Sequence, residues 1–242
     1  MVRQADALAM WTPPRLRGAP QLGAPGGLGH RLPLHKRPKN SMIPPEAGGV
    51  RVTVPPFDVR GLLPPFVGAD ATTQDRSPYL ATMAEVVTQL GTTPQRQQLL
   101  RNLIAYRQLL AGEGYQNGVQ FIDGSFVENI EGSANRPPSD IDVFSLLNAP
   151  QKYRSDPSAW ASTGLTFWQT EIADRNKNKQ RFSLDTYAVL YEELQPMGLI
   201  QYIIYWYGLF SHQRDTFAWK GFVVLPLDPI GDQAALALIG SN

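Results

Sequence analysis

Three aspartates set the chemistry this chain could perform. Asp140 and Asp142 lie in Ser139-Asp140-Ile141-Asp142-Val143-Phe144, and Asp185 lies in Ser183-Leu184-Asp185-Thr186-Tyr187. Side chains at i and i+2 of a strand point to one face, so Asp140 and Asp142 project together. Carboxylates that close raise each other's pKa unless a cation sits between them. Mg²⁺ is the expected cation, because it takes hard oxygen ligands and leaves room for phosphate oxygens. Upstream, Gly124-Ser125 closes a short apolar run, with fourteen residues between Ser125 and Asp140. A glycine ahead of a helix lets a phosphate approach the backbone, the helix start offers free N–H groups, and Ser125 adds a hydroxyl.

Further candidates are basic. Lys220 and Arg214 could neutralise a triphosphate, and Arg136, in a proline-rich loop just before Asp140, could touch one. Each reading has a plainer rival. Asp185 could pair with Arg181 or Lys179, Ser125 could simply cap a helix, and Lys220 and Arg214 could be surface charges flanking a strand. His212 fits a helix end better than a catalytic role. Tyr202, Tyr205, Trp206 and Tyr207 could stack on a base, but their helical spacing favours the core.

Composition narrows the alternatives. Among 242 residues there is no cysteine, which excludes disulfides, zinc–thiolate sites and thiol nucleophiles. Of three histidines, two (His30 and His35) fall in a proline- and glycine-rich stretch, so histidine-based triads and metal clusters are not expected. Residues 1–41 carry seven basic residues against one acid, and the remainder fifteen against twenty. The first stretch, with six prolines and five glycines, lacks any periodicity and reads as a disordered basic tail or an over-long gene model starting ahead of Met42. Residues 42–242 then form one domain. The most apolar helical stretch, 197–210, is shorter than the roughly 20 residues a membrane span needs, so no membrane partner and a cytoplasmic location are expected.

The elements that must position the aspartates follow from caps and periodicity. Ser77-Pro78 predicts a helix start running to Leu90. Thr93-Pro94 opens a second helix with an apolar stripe over Leu99, Leu100, Leu103, Ile104, Leu109 and Leu110, stopping at Gly112. Strands are predicted over 118–123, 140–147, around Asp185 and over 220–227. Helices are predicted from about Phe126, over 158–175, over 192–210 and from Gln233, with 176–180 as a charged turn.

In this order, Gly124-Ser125, Asp140-x-Asp142 and a later strand aspartate resemble the DNA polymerase β-type nucleotidyltransferase superfamily. Within it the chain is similar to uncharacterised bacterial nucleotidyltransferase-like proteins with a Gly-Leu-Leu-Pro-Pro segment (Gly61–Pro65), a Gly-Ser-Phe-Val turn (Gly124–Val127), Tyr-Trp-x-Gly-Leu-Phe (Tyr205–Phe210) and a following Lys-Gly (Lys220-Gly221). The resemblance covers roughly residues 42–227. It implies an α+β fold with a mixed, twisted sheet flanked by helices. It also implies that Gly124 and Ser125 hold phosphates, Asp140 and Asp142 ligate two Mg²⁺ ions, and Asp185 joins a metal or takes a proton. The long loop ahead of Asp140 departs from compact members, so the resemblance does not carry a substrate.

The function expected from these residues is Mg²⁺-dependent transfer of a nucleoside monophosphate from an NTP to a hydroxyl acceptor (protein, RNA or small molecule), releasing pyrophosphate. One rival is a non-catalytic module of the same fold, such as an antitoxin-like member of a toxin–antitoxin pair. A sugar-nucleotide glycosyltransferase would also use Asp-x-Asp, but the Gly-Ser turn and the third strand acid speak against it.

Overall fold

Strand β2 (Gly118–Asp123) lies at the centre of an open, mixed five-stranded sheet ordered β1-β5-β2-β3-β4. The structure is a computed structural model that describes residues 54–239, and the predicted tail over 1–41 lies outside them. On one side β2 pairs antiparallel with β3 (Ile141–Leu147), which runs parallel to β4 (Leu184–Leu190). On the other it pairs antiparallel with β5 (Val223–Pro226), which runs parallel to the two-residue β1 (Tyr79–Leu80). The architecture is therefore α+β with a mixed sheet, as expected.

The two faces of the sheet are covered unequally. Ile122, Val143, Leu184, Val223 and Leu225 face the larger core, formed by α1 (Met83–Leu90), α2 (Pro94–Glu113), α7 (Arg175–Phe182) and α9 (Pro229–Leu238). Buried Arg107 of α2 ties this side together, donating to Asp232 Oδ2 at 2.7 Å, Gln120 Oε1 at 2.9 Å and the Pro226 carbonyl at 2.7 Å. The opposite face carries Phe121, Phe144, Leu146 and Val224 under α8 (Pro196–Phe210). Trp206 is its anchor, stacked on Phe144 with centroids 4.7 Å apart and against Tyr187 at 4.5 Å. The aromatic residues of α8 divide accordingly: Trp206 is core, while Tyr205 is about 39% exposed.

Several expected boundaries move, each for a local reason. Ser77-Pro78 does not start a helix, because Tyr79–Leu80 pairs with β5. The helix instead begins after Thr82, whose side chain and that of Glu85 form a reciprocal capping box. Helix α2 starts at Pro94 as expected but runs past Gly112 to Gly114, which supplies a left-handed cap at φ 108°. The stretch around 158–175 is a broken run: α4 (Gln151–Ser155), α5 (Pro157–Ala159) and α6 (Leu165–Phe167), with π-helical turns at Trp160–Gly164 and Trp168–Ile172. The expected turn at 176–180 is the middle of α7. Its charges mask any apolar period, yet Asp174 caps it and Phe182 and Asn178 are buried beneath it.

Candidate functional site

Register brings the aspartates together. Asp142 stands opposite Asp185 across the β3–β4 ladder and opposite Asp123 across the β2–β3 ladder. Each is an even number of residues from an aromatic of the α8-side face: Asp123 from Phe121, Asp142 from Phe144, Asp185 from Tyr187. All three therefore share that face at one end of the sheet. Asp140, two residues before Asp142, extends the row from the lead-in to β3. Asp140, Asp142 and Asp185 thus fall in one row on one face, and a fourth acid, Asp123, belongs to the same row.

Their charges bear on Asp142. Burial pushes its pKa up, repulsion from Asp140 and Asp185 adds to this, and Arg214 and Lys220 work against it. Gly124 lies directly against it. At φ +83°, a Cβ on Gly124 would stand 2.9 Å from Asp142 Oδ2, so only glycine lets the chain turn this close to the carboxylate.

The turn itself differs from the expectation. Residues Gly124–Val127 form one 3₁₀ turn and the chain leaves it extended at Glu128; a five-residue helix, α3 (Ile130–Ala134), follows. The turn therefore opens no helix longer than five residues, so the helix dipole expected behind Gly124-Ser125 is not present there. Two buried cations grip the segment instead. Arg96 of α2 donates to the Phe126 carbonyl at 2.7 Å, to the Glu128 carbonyl and to both oxygens of Glu131, with its Cζ 5.7 Å from the Phe57 ring centroid and 5.4 Å from that of Phe126. Lys220 Nζ lies 2.7 Å from Glu128 Oε1, 3.1 Å from Asp123 Oδ1 and 3.2 Å from the Gly124 carbonyl.

Lys220 therefore does not serve as the expected phosphate ligand. Its side chain is 3% exposed and is spent on two carboxylates and a carbonyl, so it acts as a clamp on the turn. Burial opposes its charge, but Asp123 and Glu128 together outweigh that and raise its pKa. One cation cannot neutralise two buried acids. Glu128 takes the shorter contact, a hydrogen bond at 2.7 Å, while Asp123 Oδ1 stands 3.1 Å from the same ammonium. Asp123 is the acid left over: burial, partly offset by Lys220, pushes its pKa up to about 7.

The remaining aspartates meet exposed cations. Arg175, the first residue of α7, grips Asp185 with two hydrogen bonds, Nε to Oδ1 at 2.9 Å and Nη2 to Oδ2 at 3.0 Å. Neither Arg181 nor Lys179 takes that place. Lys179 instead pairs with Asp140 Oδ2 at 2.8 Å, and Arg214 stands 3.8 Å from Asp142 Oδ2. Arg136 is exposed and donates to the Pro137 carbonyl at 3.3 Å, with no contact to the aspartate row. His212 lies with Nδ1 3.1 Å from the Gly208 carbonyl, a helix-end contact.

The donor set suits a hard divalent cation, since it consists of carboxylate oxygens on three adjacent strands and Asp142 is pressed by like charges. Yet among the described residues no three carboxylate or imidazole groups are gathered to hold a metal ion. Each expected ligand is turned toward a basic side chain. Asp123, Arg96, Glu128 and Arg175 escaped the sequence reading because their roles depend on register and on contacts far along the chain. Only Asp123, the residue preceding Gly124 at a strand end, left a local signal.

Residues 55–226 match the model of a family of unknown function, DUF6932. The chain belongs to that family. No curated protein and no solved structure matches it. The DUF6932 match runs from just after the first described residue to the end of β5, so it takes in the whole aspartate row and both clamping cations; α9 lies beyond it.

Proposed function

We propose that this DUF6932 protein is a divalent-metal-dependent nucleotidyltransferase. The observation that carries the reading is the row of Asp123, Asp142 and Asp185 in register on three neighbouring strands, with Gly124 pressed against its centre. In this reading Asp140 and Asp142 hold Mg²⁺, with Asp185 beside them. The ion, when bound, would screen the triphosphate oxygens and polarise the phosphorus. The acceptor hydroxyl oxygen attacks the α-phosphorus, the bond from that phosphorus to the bridging oxygen breaks, and pyrophosphate leaves. Asp185, at the edge of the row, joins the metal through one oxygen and takes the hydroxyl proton on the other. The Gly124–Val127 turn, fixed from below by Lys220 and Arg96, gives the phosphates a backbone surface that does not need to reorganise.

The test is release of pyrophosphate from each of the four NTPs in a cell extract depleted of nucleotides, supplemented with the protein and Mg²⁺. Asp142→Ala is expected to bring release to background. If wild type neither releases pyrophosphate nor binds any NTP in a Mg²⁺-dependent manner, the reading fails. Nucleoside diphosphate as the product would favour the glycosyl-transfer alternative.

A second reading has its own support. Because Asp140, Asp142 and Asp185 each already face a cation, the row could be a surface ion-pair array in a non-catalytic binding module, such as one half of a toxin–antitoxin pair. Partner binding that survives Asp140→Ala, Asp142→Ala and Asp185→Ala together would favour it. The described residues include no helix long and apolar enough to cross a membrane, and neither reading requires one.

A further inference from the structure

Two residues of α7 have chemistry that the proposed reaction has not used. Arg175 and Lys179 are spaced i, i+4 and so stand on one face of the helix, about 5–6 Å apart at their Cβ atoms. Both are half-exposed, at 48% and 55% of their side chains, and each is engaged by an aspartate of the row. Arg175 has a second anchor: its Cζ lies 4.0 Å from the centroid of Tyr187, which in turn packs on Trp206. A guanidinium stacked on a ring keeps its plane fixed while its edge donors stay free to choose an acceptor.

We propose that Arg175 and Lys179 form an oligophosphate-binding edge, masked by Asp185 and Asp140 and uncovered when a divalent cation takes those carboxylates. The inference rests on the nucleotidyl-transfer reading and adds its polyphosphate subsite. Ion pairs whose cation is half-exposed are screened by water, so they can exchange partners. Charge balance favours a concerted exchange. A metal alone leaves two unpaired cations beside it, and a polyphosphate alone meets four carboxylates. Arriving together, the metal takes the carboxylates and the polyphosphate takes the guanidinium and ammonium. Arg175 loses Asp185 but keeps Tyr187, so its fork is already in place for two phosphate oxygens. Arg214, further out and 3.8 Å from Asp142, adds to the same positive field.

Calorimetry on the full chain decides this, with Mn²⁺ alone, ATP with and without Mn²⁺, and tripolyphosphate with Mn²⁺ as probes. Wild type should bind ATP at least about tenfold more tightly with Mn²⁺ than without. Arg175→Gln and Lys179→Met should each weaken ATP binding in Mn²⁺ by about tenfold, the loss of one charge-assisted contact. The same variants should bind Mn²⁺ alone more tightly than wild type, because the competing cation is gone. That opposition of sign separates the proposal from a merely structural role, which would weaken both ligands or neither. Unchanged ATP affinity, or Mn²⁺ affinity that does not rise, overturns the masked edge and leaves nucleotidyl transfer standing. Tripolyphosphate that fails to compete with ATP overturns the assignment to phosphate. Absence of any Mn²⁺-dependent ATP binding by wild type overturns both this edge and the reaction it serves.

Discussion

Two groups of cations meet the aspartate end of the sheet, and they differ in what surrounds them. Arg96 and Lys220 are buried, and between them they hold the backbone and acids of residues 123–131 with contacts from α2 and from the lead-in to β5. Arg175, Lys179 and Arg214 are exposed, and each touches a single carboxylate of the row. A buried cation that is removed leaves uncompensated charge in a low-dielectric site, whereas an exposed one is replaced by water. Burial therefore sorts the same chemical pairing into two roles: one side of the site is fixed, and the other can exchange partners.

The strongest way to break this contrast is Lys220→Met. It leaves Asp123 and Glu128 buried without a cation, and should cost about 3–5 kcal/mol in urea unfolding. Adding Glu128→Gln to that variant should recover part of the loss, since one of the stranded charges is then gone. A loss below about 1 kcal/mol would mean that Lys220 is no more structural than the exposed cations.

A smaller effect should appear with pH. Asp123 has its folded pKa raised from 3.8 to about 7, so its contribution to stability is complete below pH 4 and is lost as pH rises through 7. Chemical denaturation across that window should show stability falling with pH from this group, and Asp123→Asn should flatten the fall. A slope identical in the variant would place the titration elsewhere.

The smallest expected effect sharpens the other side. Lys179→Met removes a pair whose ammonium is raised in pKa by its hydrogen bond and attraction to Asp140, yet it should shift unfolding by less than about 1 kcal/mol. A shift comparable to that of Lys220→Met would erase the distinction between fixed and exchangeable cations.

Much of the fold could be read locally. Strand β2 was bounded by Gly118 and Asp123 as its apolar run suggested, and α2 began where Thr93-Pro94 placed it. Helix α7 is not legible in the sequence because Arg175-Asn-Lys-Asn-Lys-Gln-Arg shows no apolar period; its hold on the core comes from Phe182 at its end and from Asn178, which bonds Thr186 of β4. The start at Ser77 was displaced by a pairing partner, β5, lying more than 140 residues along the chain.

The site divides in the same way. Residue type, i and i+2 spacing and strand alternation placed Asp140 and Asp142 on one face, and these depend only on neighbours along the chain. Which strand lies beside which, and in what register, depends on pairing across the sheet. That pairing decided that Asp123 completes the row, that Arg175 rather than Arg181 grips Asp185, and that Lys220 is buried. Spacing fixes where side chains point; only packing fixes what they meet, because the cost of burying a charge is set by every element that excludes water from it.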